Sequence, residues 1–120
     1  MSFYDLEKAE RMILVGEISR KLSAAFRGND NALISQFFSD TDTYIRKTAY
    51  LAVGKLFLKE KTLRQIVLKT LIQLLDHENY KVRQTVINAA GEIGKIHFEI
   101  VNAEILVQAE NLKFGSVKVK

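Results

Sequence analysis

The sequence predicts an all-α fold, a right-handed α-α superhelix built by stacking helical hairpins. Three observations predict it. Apolar residues recur at helical spacing along the whole chain, and no stretch alternates for long enough to form a strand. Turn clusters that carry capping residues cut this periodicity into segments of helical length. The sequence also repeats itself. At an offset of 37 residues, Ile34 falls on Leu71, Gln36 on Gln73, Ile45-Arg46 on Val82-Arg83, Thr48 on Thr85, Ala52 on Ala89 and Gly54 on Gly91. A unit of that length with two helices and two polar turns is a hairpin. Its apolar stripe cannot be buried alone, so hairpins stack.

Leu6, Ala9, Ile13, Ile18, Leu22, Ala25 and Phe26 fall near one face of a first helix, with Asp5 as N-cap and Gly28 as stop. Asn29-Asp30-Asn31 is a turn and a new cap, and residues 32–38 make a short second helix. Asp42, at the end of the turn Ser39-Asp40-Thr41-Asp42, caps a third helix over 44–58. Thr62 caps a fourth, running to about Leu75. Asn79 caps a fifth over 80–95, and a sixth spans 98–112, with His97 in the turn between them. The expected divisions are an N-terminal helix over 1–28, repeats over 29–58 and 59–97, and a partial repeat and tail over 98–120, all in one domain. The expected core comprises Ile34, Phe37, Phe38, Ile45, Ala49, Ala52, Leu56, Leu71, Leu74, Leu75, Val82, Val86, Ala89 and Ile93.

Composition bounds the function classes. With 120 residues, 48% hydrophobic and 27% charged, the chain is one globular domain rather than a disordered one. It has no cysteine, which excludes a disulfide scaffold, a zinc finger and a thiol nucleophile. The formal charge of +4 conceals a basic middle: residues 1–42 carry −2, 43–83 carry +6, 84–112 carry −3, and three lysines end the tail. Apolar runs are far shorter than the ~20 residues a membrane span needs. The N-terminus Met1-Ser2-Phe3-Tyr4-Asp5-Leu6-Glu7 has no basic n-region or apolar h-region, so cytoplasm is the expected location and no membrane partner is expected.

Two segments carry a family resemblance. Phe37-Phe38-Ser39-Asp40-Thr41-Asp42-Thr43-Tyr44-Ile45-Arg46 and Leu74-Leu75-Asp76-His77-Glu78-Asn79-Tyr80-Lys81-Val82-Arg83 each pair apolar residues at a helix end, pass an acidic turn, and open the next helix with Ile/Val-Arg. Ala52-Val53-Gly54 and Ala89-Ala90-Gly91 follow at matching positions. The pattern resembles HEAT repeats over residues 33–96, although the turns lack prolines. The resemblance implies that Arg46 and Arg83 form a structural ladder with turn carboxylates, with Asp40 and Asp76 as candidate partners. It also implies that the second helices line a concave face.

Nothing in the sequence supplies chemistry. His77 and His97 alone cannot furnish a zinc ligand set, and neither sits in a nucleophile motif, so no catalytic residue, metal or cofactor is expected. Gly54 and Gly91 lie inside helices at a cost of ~1 kcal/mol each, and close approach of a packed helix is the expected compensation at both. The candidate partner surface is the outer stripe of the second helices: Lys47, Leu51 and Lys55 in one repeat, Gln84, Asn88 and Glu92 in the next. Tyr44, Tyr80 and Lys81 stand at the helix starts.

The expected function is therefore a non-enzymatic scaffold that binds a protein or peptide through its concave face. The alternative is nucleic-acid binding, in the manner of the HEAT-like DNA alkylation-repair proteins that the chain loosely resembles. Lys47, Lys55, Lys59, Lys61, Arg64, Lys69 and Lys81 would then contact phosphates. Lys118-Val119-Lys120 falls where Lys81-Val82-Arg83 open a second helix, so the array is expected to end incomplete. That leaves Ile100, Ile105, Leu106 and Leu112 half covered, with self-association through the C-terminal helix or a frayed tail from Lys113 as the expectation.

Overall fold

A computed structural model describes residues 2–101, with side chains as far as Lys95, and every regular element in that span is helical. Five α-helices follow in order: α1 (Lys8–Arg27), α2 (Asn31–Phe38), α3 (Thr43–Lys59), α4 (Arg64–Leu74) and α5 (Tyr80–Val101). Short 3-10 turns at Phe3–Asp5 and Lys61–Leu63 precede α1 and α4.

The local chemistry of the turns explains where the helices start and stop. The Leu33 N–H donates to Asp30 Oδ1 at 3.1 Å, satisfying one of the free donors at the start of α2. α1 ends at Gly28, and Asn29 takes a left-handed φ of 56° that an asparagine tolerates. The N-cap of α1 is Glu7 rather than Asp5. Asp5 instead closes the preceding 3-10 turn by accepting the Ser2 N–H at 3.0 Å. Thr62 likewise lies inside the second 3-10 turn, so α4 starts at Arg64 without a side-chain cap.

The 37-residue register holds at atomic detail in the two turns that lead into α3 and α5. Asp42 Oδ1 accepts the Tyr44 N–H at 2.9 Å, and Asn79 Oδ1 accepts the Lys81 N–H at 2.9 Å. Asp40 Oδ1 accepts the Asp42 N–H at 2.8 Å; in the next repeat His77 Nδ1 accepts the Asn79 N–H at 3.0 Å. An imidazole thus does the work of a carboxylate at the equivalent position. The ring must carry its proton on Nε2 to accept at Nδ1.

α1, α3 and α5 form one layer with α3 in the middle, and α2 and α4 each pack against all three. The most extensive packing is between α3 and α5. The core runs continuously between the layers. Phe26, Phe38 and Phe57 are fully buried with Ile18, Leu22, Ile34, Val53, Val67, Leu71, Val82 and Val86. Burying a side chain of this size contributes roughly 1.5–3 kcal/mol. Most of the expected core is buried; Phe37, Ile45 and Leu56 are only half-buried at its edge. Ala9 and Ile13 of α1 are exposed, Ile13 by 63%. α1 ends its layer, so among the described residues its outer side has no neighbour.

The two equivalent glycines differ. A Cβ on Gly54 would lie 2.8 Å from Glu92 Cβ, so α3 and α5 approach closely there. A Cβ on Gly91 would meet nothing within 4 Å, so the expected close approach is absent at that position among the described residues. The expected turn at His97 is also absent. α5 continues through it to Val101, because no proline or glycine lies between Gly94 and Val101 to stop it. The rest of the expected 98–112 helix, the tail and their self-association lie outside the described residues.

Candidate functional site

The stripes singled out on α3 and α5 come together only in part. Lys47, Gln84 and Asn88 line one groove of about 160 Å³ between the two helices, together with Thr43, Arg46, Tyr50 and Thr85. The close contact of Gly54 with Glu92 brings the helices together further along. Lys47, Gln84 and Asn88 are exposed, and their side chains make no hydrogen bond or ion pair among the described residues. Thr85 is buried beneath them, where its single hydroxyl proton is shared between the carbonyls of Phe38 (2.9 Å) and Lys81 (2.7 Å) and ties α5 to the end of α2. The floor of the groove is therefore rigid and its rim is free.

The other surface residues go elsewhere. Leu51 is half-buried, and Lys55 is exposed. The carboxylate of Glu92 pairs with Lys95 Nζ at 2.9 Å. Tyr80 is 61% exposed at the start of α5, and Lys81 is half-buried beside it. Tyr44 turns toward the N-terminal segment. Its ring meets Tyr4 edge to face at 4.3 Å between centroids and lies 6.5 Å from the buried ring of Phe3. Arg11 stands over the other side of this cluster, 5.1 Å from the Tyr4 centroid, and donates to the Leu6 carbonyl at 2.7 Å.

Asp42 fastens this segment. One of its carboxylate oxygens caps α3 and the other accepts the Phe3 N–H. The Ser2 N–H, and then its hydroxyl, hold the Asp5 carboxyl below its ordinary range. An open cleft of about 690 Å³ lies under the segment, with Leu14 and Ile45 among its walls. Sequence reasoning did not find this cluster. Phe3 and Tyr44 are 41 residues apart, and no local period links them.

Arg46 and Arg83 occupy equivalent sites, but they bond carbonyls of the preceding turn, and in Arg46 a hydroxyl as well, rather than carboxylates. Arg46 Nη1 donates to the Asp40 carbonyl and Nη2 to the Thr43 hydroxyl. Arg83 Nη1 donates to the carbonyls of His77 and Glu78. Each guanidinium ties down the turn before its own helix. Among the described residues neither forms an ion pair, so no ladder links Arg46 with the Asp40 carboxylate or Arg83 with that of Asp76. The register also sets Asp40 opposite His77, one residue beyond Asp76.

The basic middle is dispersed. Arg64 donates from Nε to the Phe57 carbonyl at 2.8 Å and from Nη2 to Leu58 at 3.2 Å, and lies over the Phe57 ring. It closes the C-terminal end of α3 with Nε and Nη2. Lys47 and Lys55 are on α3, whereas Lys69 is on α4 in the other layer. Among the described residues no group of three or more His, Asp or Glu side chains could hold a metal ion, and no helix is long and apolar enough to cross a membrane.

A family model described as HEAT repeats matches residues 31–109, the larger part of the chain. The match takes in both hairpins, α2–α3 and α4–α5. No solved structure is significantly similar to the chain.

Proposed function

This chain belongs to the HEAT-repeat family, and from that premise we propose that it is a non-enzymatic scaffold whose partner, a protein or peptide, docks along the α3–α5 face. HEAT repeats in general serve as protein-interaction scaffolds. The observation that carries the reading is the groove between α3 and α5. It has a rigid floor, and its rim side chains have hydrogen-bonding capacity that the fold leaves unused. Carboxamides such as Gln84 and Asn88 both donate and accept, which suits a peptide backbone.

No observation favours the nucleic-acid alternative. A duplex needs a contiguous basic track, and here Lys47, Lys55 and Lys59 follow α3, Lys81 opens α5, Lys69 lies on α4, and Arg64 is bonded to the end of α3.

Selection of a random peptide library on the immobilised protein tests the proposal. Enriched peptides should bind the parent and lose at least about tenfold in affinity against Gln84→Ala/Asn88→Ala, a change of about 1.4 kcal/mol. Lys69→Ala on α4 should leave binding intact. An absence of enriched peptides, or equal sensitivity to the α4 variant, refutes the α3–α5 face as the site. Duplex DNA that binds tightly and with a steep salt dependence in an anisotropy titration would overturn the choice between the two readings.

A further inference from the structure

Resting on the scaffold reading, we infer that the α3–α5 groove selects an acidic peptide, seating an Asp or Glu side chain of the partner between Lys47 and Arg46 on one side and the carboxamides of Gln84 and Asn88 on the other. The lining holds two cations and no carboxylate. The Arg46 guanidinium is held in place by the Asp40 carbonyl and the Thr43 hydroxyl, so its positive charge is fixed at the groove wall without an anionic partner. Lys47 sits one residue along and pairs with no carboxylate among the described residues.

The nearby carboxylates do not neutralise this wall. Asp40 and Asp42 line the separate cleft beneath the N-terminal segment, and their oxygens accept main-chain N–H groups. Glu92, further along α5, is paired with Lys95. The α3 start therefore presents acid on one side and base on the other. The other polar groups of the rim, Gln84 and Asn88, can donate to a carboxylate through their NH₂ groups. A groove of about 160 Å³ has room for one carboxylate side chain, not for a folded domain. A short extended segment fits this shape. A fixed, half-buried cation such as Arg46 strengthens a charge-assisted hydrogen bond over one made in open solvent.

Three fluorescent dodecapeptides that differ only in one repeated residue test this by anisotropy: alternating Glu-Ser, alternating Gln-Ser and alternating Lys-Ser. The Glu peptide should bind most tightly, about tenfold or more over the Gln peptide, and should weaken as salt rises. Lys47→Glu, an exposed substitution whose unchanged melting temperature checks the fold, should remove most of that preference. The same substitution on α4, Lys69→Glu, should not. Equal binding of the Glu and Gln peptides, or a preference that survives Lys47→Glu, overturns the inference. So does a phosphoserine peptide that binds where the Glu peptide does not. If library-selected peptides bind and depend on Gln84 and Asn88 without any dependence on charge, the scaffold reading stands and the acidic preference falls. If no peptide of any charge binds, both fall.

Discussion

Gly54 and Gly91 occupy the same place in two consecutive repeats, and the structure predicts that replacing them by alanine will have opposite effects. Each substitution gains helix propensity, by ~0.8–1.0 kcal/mol. At Gly91 nothing among the described residues lies within 4 Å of the new methyl group, so the gain stands alone and Gly91→Ala should stabilise by ~0.8–1.0 kcal/mol. At Gly54 the methyl would meet Glu92 Cβ at 2.8 Å. Ordinary carbon contact begins near ~3.5 Å, so α5 must move by about 0.7 Å. Glu92 Cβ is fixed to the α5 backbone, and α5 carries Val86, Ala89 and Ile93 in the core, so the shift is transmitted to packed groups. Overpacking of this kind costs ~1–3 kcal/mol. Subtracting the propensity gain leaves Gly54→Ala destabilised by about 0–2 kcal/mol. Propensity cancels in the difference between the two variants, which should therefore equal the overpacking cost of ~1–3 kcal/mol. Urea unfolding followed by circular dichroism measures both on one scale. If the two variants agree within a few tenths of a kcal/mol, or if Gly54→Ala is the more stable, the argued contact between α3 and α5 is wrong.

Arg83→Ala should cost about 1–3 kcal/mol, because it frees the His77 and Glu78 carbonyls that the guanidinium holds; an unchanged midpoint in urea would show that the turn holds without it. His77→Asp should keep the stability of the parent, since Asp40 already fills the equivalent role, whereas His77→Ala should lose about 0.5–1.5 kcal/mol; equal losses in thermal melts would contradict the equivalence. Asp5 should make the N-terminal turn pH-dependent. Its pKa in the folded state is lowered, so its contribution is complete above the unfolded carboxyl value and disappears as pH falls through the lower folded value. Tyrosine fluorescence from the Tyr4–Tyr44 cluster should report a change in that acidic range, and Asp5→Asn should remove it; an unaltered profile would refute the assignment.

The helices from α1 to α4, the start of α5, the hairpin pairing and the caps at Asp42 and Asn79 were legible because they depend on residues within one or two turns of each other; α2 starts one residue earlier than expected, with Asp30 as its cap. The period in Ile34/Leu71 and Ala52/Ala89 also carried the family. Lys47, Gln84 and Asn88 were legible as outward-facing positions for the same reason: their spacing opposes the apolar stripe of each helix. Tertiary structure decided the rest. Whether a guanidinium meets a carboxylate or a carbonyl depends on the path of the turn, so Asp40 and Asp76 looked alike beside Arg46 and Arg83; the 37-residue offset already set Asp40 opposite His77, but that the imidazole takes the carboxylate's acceptor role emerged only from atomic contacts. The exposure of Ile13 follows from α1 ending its layer. Tyr44 packs on Phe3 and Tyr4 because the N-terminal segment folds back onto the start of α3. Gly54 and Gly91 make the physical reason plain. Their local sequences match, and among the described residues only Gly54 has a helix against it: helical period and capping are encoded within a few residues, but the neighbour across a packed interface is set by a part of the chain whose distance in sequence carries no signal.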